Sequence, residues 1–271
     1  KERMLFDVTL FSDGSNIQRK PKGHLYLYPL IAIAAMLAIV FVMDLPHMHK
    51  PKQQLSQTIR IPAGQRAQMD LPDGSVVWLN SQTTLTYDED FGKKDRKVTL
   101  DGEAYFEVAH NKEIPFYVQT ENIKVQVTGT KFDVCSYKGS NSFIARLIEG
   151  SINLLTNNAK EEKPITSLTK GKYFSMENGK YKTGEMSSNN ALAWMQGIYY
   201  FDDVPFKELL DKIALYYNYK ITVKNPKILE NYRCTGKFKD LDGIEHILKV
   251  IQKDHPFKYN IDNEHNKITI E

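Results

Sequence analysis

Leu100-Asp101-Gly102-Glu103-Ala104-Tyr105-Phe106-Glu107-Val108 is the stretch on which the fold turns. Residues 104–108 read as a strand, and Lys97-Val98-Thr99-Leu100 before them alternates polar and apolar side chains at the period of two that marks a half-buried strand. Asp101-Gly102 reads as the turn between two strands. Glu103 and Glu107 fall on one strand face and suit a solvated edge better than an acid–base pair. Trp78, Tyr105 and Phe106 read as core or packed surface, because large aromatic side chains dominate burial. Gly64, Gly74 and Gly102 read as turn residues.

The same period extends in both directions. Residues 58–61, 65–71 and 75–79 read as strands upstream, with Pro72-Asp73-Gly74 as a turn. Downstream, 116–120, 123–127, 131–136, 143–148, 151–155 and 172–176 continue the series, with turns at Glu121-Asn122 and Gly129. The basic cluster Lys93-Lys94-Asp95-Arg96-Lys97 reads as a solvated turn. Short strands at even spacing with almost no helical period predict an all-β unit over residues 58–185, either a sandwich or β-solenoid-like.

From residue 190 the pattern changes. Residues 199–201 read as a strand, and 204–216 place apolar residues at helical spacing with Pro205 in the first turn. A strand at 220–223 follows. Residues 235–238 then lead into a second helix, 241–251, with Ile244, Ile247, Leu248 and Ile251 on one face. Residues 257–261 and 267–270 close the chain. Residues 190–271 therefore predict a small α+β module of two strand–helix–strand halves, a duplicated unit.

Residues 25–43 form an uncharged apolar run of about the 20 residues that cross a bilayer. Pro29 lies in the first turn, and Tyr26 and Tyr28 suit the headgroup level. The run ends in Met43-Asp44-Leu45-Pro46-His47, with no small-residue cleavage site of the kind a signal peptide carries. It reads as a single transmembrane helix, with a tail at 1–24 and a polar linker at 44–57. Arg19, Lys20 and Lys22 before it, against Lys50 and Lys52 further after it, put the tail on the cytoplasmic side.

The 271 residues carry 36 basic and 33 acidic side chains, a net charge of +3, so no broad nucleic-acid surface and no direct nucleic-acid binding are expected. Cys135 and Cys234 are too few for a structural zinc site, leaving one disulfide or two buried thiols open. His47 and His49 belong to the linker, and no metal or cofactor site is expected. The sequence has no paired-carboxylate or triad motif for an enzyme such as a glycan hydrolase, so none is expected.

Several motifs in order carry a resemblance. Ile61-Pro62-Ala63-Gly64-Gln65-Arg66-Ala67, Leu71-Pro72-Asp73-Gly74-Ser75-Val76-Val77-Trp78-Leu79-Asn80, the opening stretch, Val127-Thr128-Gly129-Thr130-Lys131-Phe132-Asp133-Val134 and Leu147-Ile148-Glu149-Gly150-Ser151-Ile152 resemble the periplasmic domain of FecR-type anti-sigma factors. Phe201-Asp202-Asp203-Val204-Pro205-Phe206 and Cys234-Thr235-Gly236-Lys237-Phe238 resemble the extra C-terminal domain of Bacteroidetes members. That domain is itself similar to the signalling domains of TonB-dependent transporters. The resemblance implies a single-pass inner-membrane regulator with a cytoplasmic N-terminus, periplasmic C-terminal domains and no enzymatic role. It implies an extracytoplasmic-function sigma factor as cytoplasmic partner, a transporter signalling domain as periplasmic partner, and site proteases acting near the span.

In some relatives the chain breaks at a Gly-Thr like Gly129-Thr130, where the hydroxyl attacks the preceding carbonyl in an N→O acyl shift. A tight hairpin explains the same two letters without cleavage. The family also carries tens of cytoplasmic residues folded on the sigma factor, whereas residues 1–22 show no amphipathic helix. Either that part is missing from this chain or the tail is reduced. A membrane-tethered periplasmic binding protein without a sigma partner is the alternative reading.

Overall fold

The structure, a computed structural model, describes residues 29, 31–39, 55–157, 162–186 and 188–271. Residues 31–39 are helical. The rest of the 25–43 run apart from Pro29, the tail, and His47 and His49 lie outside the described residues. Among the described residues no helix is long and apolar enough to cross a membrane.

The chain from residue 54 onward forms one compact unit. Its β-rich part is built on thirteen strands: β1 (Ser56–Arg60), β2 (Ala67–Asp70), β3 (Val76–Leu79), β4 (Thr84–Asp88), β5 (Arg96–Glu107), β6 (Phe116–Gln119), β7 (Ile123–Val127), β8 (Lys131–Ser136), β9 (Ser142–Glu149), β10 (Ser151–Thr156), β11 (Pro164–Thr169), β12 (Lys172–Glu177) and β13 (Lys180–Glu185). They form two faces that share β5. One runs β1-β4-β5-β6-β7-β10-β11, the other β2-β3-β5-β8-β9-β12-β13. From β6 onward successive antiparallel pairs alternate between the faces, so the chain rolls up as stacked hairpins, solenoid-like in its progression.

The turn expected at Asp101-Gly102 is not one. β5 passes through it as a single strand, pairing β4 through Asp101 and β8 from Gly102 on. Gly102 (φ +137°) makes the bend because Thr83 presses on it: a Cβ there would lie 2.4 Å from Thr83 Oγ1 and 2.6 Å from Thr83 Cα. Between the faces Phe106 stacks on Phe132 at 5.1 Å and meets Phe116 edge-on at 5.9 Å.

Arg96 also departs from expectation. It is buried rather than part of a solvated turn. Its guanidinium donates to Ile114 O (2.7 Å), Ala109 O (2.7 Å), Asn111 O (3.1 Å) and Asp73 Oδ2 (3.2 Å). One fork of donors thereby satisfies the carbonyls of the 109–114 loop, which would otherwise be stranded away from water.

After a 3-10 helix, Asn189–Gln196, come β14 (Ile198–Pro205), α1 (Phe206–Tyr217), β15 (Lys220–Val223), β16 (Arg233–Lys239), α2 (Gly243–Asp254), β17 (Tyr259–Asp262) and β18 (Lys267–Ile270). β14 pairs antiparallel with β16, and β15 pairs parallel with β18, which also takes β17. This is the expected duplication, with one extra strand in the second half. α1 buries Leu209, Leu210, Ile213 and Tyr216, and α2 buries the four residues read from its spacing, Ile244, Ile247, Leu248 and Ile251. The module's core also takes in Tyr105 of β5, with Trp78 and Ile148 packed against it. The module therefore sits on the outer face of the second sheet.

Candidate functional site

That outer face carries a row of side chains in register: Trp78 opposite Tyr105, Tyr105 opposite Asp133, Asp133 opposite Arg146. Trp78 and Tyr105 meet with ring centroids 5.4 Å apart. Glu103 lies one alternation along β5, opposite Cys135. Period-two alternation turns all of them away from the first core, and the module covers them.

The solvated-edge reading is therefore corrected for Glu103, which is 4% exposed; Asp133 is fully buried at 0%. Glu107, two residues further on, stays at the rim with a side chain 36% exposed, near Lys131 at 3.7 Å. The difference is position under the module, since both residues share a face.

The buried acids are held closely. Asn80 Nδ2 donates to Glu103 Oε2 at 2.6 Å, and the Tyr216 hydroxyl of α1 donates to the same oxygen at 3.5 Å. Arg146 Nη1 lies 2.5 Å from Asp133 Oδ2 and 3.7 Å from Glu103 Oε1. Asp133 Oδ1 and Trp194 Nε1 are buried without an aligned partner, yet the indole is near enough to favour the charged carboxylate.

Around this cluster the β-rich part caps α1. A helix leaves its last carbonyls unsatisfied, and here the Tyr216 carbonyl accepts from Ser81 Oγ (2.9 Å) and from the Gly64 amide (3.0 Å). The Gln82 amide donates to Leu215 O. Arg66 and Asp240 close the rim at 2.7 Å.

Burial, with Asp133 nearby, pushes the Glu103 carboxyl up to about 7, although Arg146, Asn80 and Lys212 partly offset it. Burial also raises Asp133, against the pull of Arg146. For Arg146 burial works the other way, but Asp133 and Glu103 outweigh it and hold the guanidinium charged. Burial raises the Cys135 thiol and the Tyr137 and Tyr216 phenols. The arrangement can hold or release a proton inside a sealed contact. Among the described residues no cluster of metal-ligating side chains occurs, and Cys135 and Cys234 are both free thiols.

Gly129 and Thr130 lie elsewhere, in the bend carrying the chain from β7 on one face to β8 on the other. The Thr130 hydroxyl donates to Ser151 O at 3.0 Å, and its carbonyl accepts from the Val108 amide at 3.0 Å. A Cβ at Gly129 would lie 2.4 Å from His110 Nδ1, so close approach alone explains the glycine. Acyl transfer would require the hydroxyl to leave Ser151.

The junction was missed in the sequence because its members are far apart in the chain. The available signal was Trp78 and Tyr105 on the face assigned to water.

Residues 57–153 match the family model described as "FecR protein", and residues 198–270 match "FecR, C-terminal". Two crystal structures of a candidate anti-sigma factor from Parabacteroides distasonis ATCC 8503 are similar in fold. One is 25% identical with a TM-score of 0.67, covering 80% of this chain and 98% of the other. The second is 24% identical with a TM-score of 0.68, covering 79% and 98%. No curated protein sequence matches the chain. The two family matches fall on the two cores, one on each, which defines a two-part regulator of sigma-factor signalling. The chain belongs to the FecR family and is a FecR-type anti-sigma factor.

Proposed function

We propose that the protein is a single-pass inner-membrane anti-sigma factor that relays the state of a TonB-dependent outer-membrane transporter to an extracytoplasmic-function sigma factor. The module carries the sensing step in this reading, and the supporting observation is its open sheet edge. Among the described residues β16 pairs only with β14, which leaves its other edge open to an added strand. Lys237 and Lys239 are exposed along this strand and favour an acidic partner strand, whereas Arg233 and Thr235 are engaged with Asp203 of β14. Helical residues 31–39 support the membrane anchor: Ile31, Ile33, Met36, Leu37 and Ile39 are all exposed apolar side chains, suited to lipid.

The sensing step is tested by pull-down of residues 55–271 against signalling domains of transporters encoded nearby. Specific capture by one domain, weakened in K237E and K239E, is expected; no capture by any domain refutes it. Deleting the gene should alter transcription of a linked transporter operon with inducer present. An unchanged transcript profile refutes the relay.

A further inference from the structure

We infer that Glu103, Asp133 and Arg146 form a protonation-controlled latch between the β-rich part and the C-terminal module, tight when the cluster holds one proton and loosened when both carboxyls are ionised. The latch is a property of the junction and does not depend on which partner the module senses.

The argument is one of charge counting in a dry contact. Glu103 is faced by Asn80 from the β3–β4 connection, Asp133 and Cys135 from β8, Tyr137 beyond it, Arg146 from β9, Lys212 and Tyr216 from α1, and Tyr199 from β14. Two carboxyls and one guanidinium are buried there, and they balance only if one carboxyl is protonated. Lys212 compensates little, since its side chain is 35% exposed and its Nζ pairs with Glu208 at 2.9 Å. With both acids ionised, a negative charge is sealed under the module, and an uncompensated buried charge is costly. Undocking admits water to the same carboxylates and removes that cost.

The docked junction therefore binds the proton more tightly than the open one. For a carboxyl raised from 4.5 to about 7, docking is strongest below the ordinary value. It weakens as the pH rises through that window and levels off above it. Within the window the docking equilibrium falls by up to about tenfold per pH unit.

Both tryptophans of the chain, Trp78 and Trp194, report on this contact. The full chain in detergent micelles is titrated from about pH 5.5 to 8.5 while tryptophan emission is followed. The expected result is a red shift with rising pH in the wild type and in E107Q, whose side chain sits at the rim. E103Q, which stays neutral and keeps the Asn80 contact through its carbonyl, is expected to hold the low-pH emission throughout. A flat wild-type titration, or a red shift in E103Q equal to the wild type's, overturns the inference. The second reading needs no variant: protease cleavage between β13 and β14 of the wild-type chain, normalised to an unstructured peptide, quickens with pH. Equal normalised rates at both ends of the range overturn the latch.

Discussion

Alanine at position 102 would place a methyl group 2.4 Å from Thr83 Oγ1, 2.6 Å from Thr83 Cα and 2.7 Å from Thr83 Cβ. Two of these are not movable side-chain tips: Thr83 is fully buried, and its Cα belongs to the backbone. Thr83 Oγ1 also donates to Glu103 O at 3.1 Å and accepts from the Glu103 amide at 3.0 Å, so moving it apart strains both bonds. Overpacking costs about 2 kcal/mol, the hydrogen bonds about 1 kcal/mol, and φ +137° about 1 kcal/mol for a residue with a side chain. The sum, about 4 kcal/mol, is a large share of the roughly 5–15 kcal/mol that holds a domain together. Gly74 supplies the comparison. It too has a positive φ, +82°, but nothing lies within 4 Å of its would-be Cβ, so alanine there costs only the backbone term, about 1 kcal/mol. Urea unfolding of the full chain in detergent, followed by far-ultraviolet circular dichroism, gives both values. Gly102→Ala costing no more than Gly74→Ala would refute the view that Thr83 dictates the bend in β5.

Arg96→Met should cost about 3–5 kcal/mol in the same assay, because it strands Asp73 and three loop carbonyls in the interior; a loss under about 1 kcal/mol would show the loop does not need the guanidinium. Cys135 and Cys234, both free and with raised thiol pKa values, should resist alkylation at pH 8 until the protein is unfolded, and reductant should leave the mass unchanged. With tags at both ends, scission between Gly129 and Thr130 would give two fragments that Thr130→Ala abolishes. Because the Thr130 hydroxyl is engaged with Ser151, a single full-length band is expected, and fragments lost in Thr130→Ala would refute that.

Alternation made most strands legible, since residues such as Val77, Leu79, Val125 and Val127 must turn to the same interior. The duplicated module was legible for the same reason, with α2 burying the four residues its spacing singles out. Strand β4 offered Leu85 and Tyr87 at the right period and was nevertheless missed. β13 offered almost no signal: Lys180, Tyr181, Lys182 and Thr183 are exposed, and the strand exists because β12 pairs with it. A local pattern does not show such pairing. Nor does it show that a bend can be made within a strand, as at Gly102, rather than by ending it.

The site was less legible than the fold, and the reason is specific. Alternation sorts side chains into two faces but does not say what lies on the second one. Glu103 and Glu107 are indistinguishable by period, yet one is buried and the other rims the contact. The deciding partner, Tyr216, is 113 residues away in sequence. Asp133 and Arg146 look in isolation like ordinary members of a solvated face. Trp78 and Tyr105 on that face were the evidence against water, because burying large aromatic area against a partner is strongly favourable. Apolar side chains could have sealed the same contact without the desolvation cost of two acids and a guanidinium. A junction built from charges instead makes the module's attachment depend on how many protons the cluster holds, a dependence that leucine and valine cannot provide.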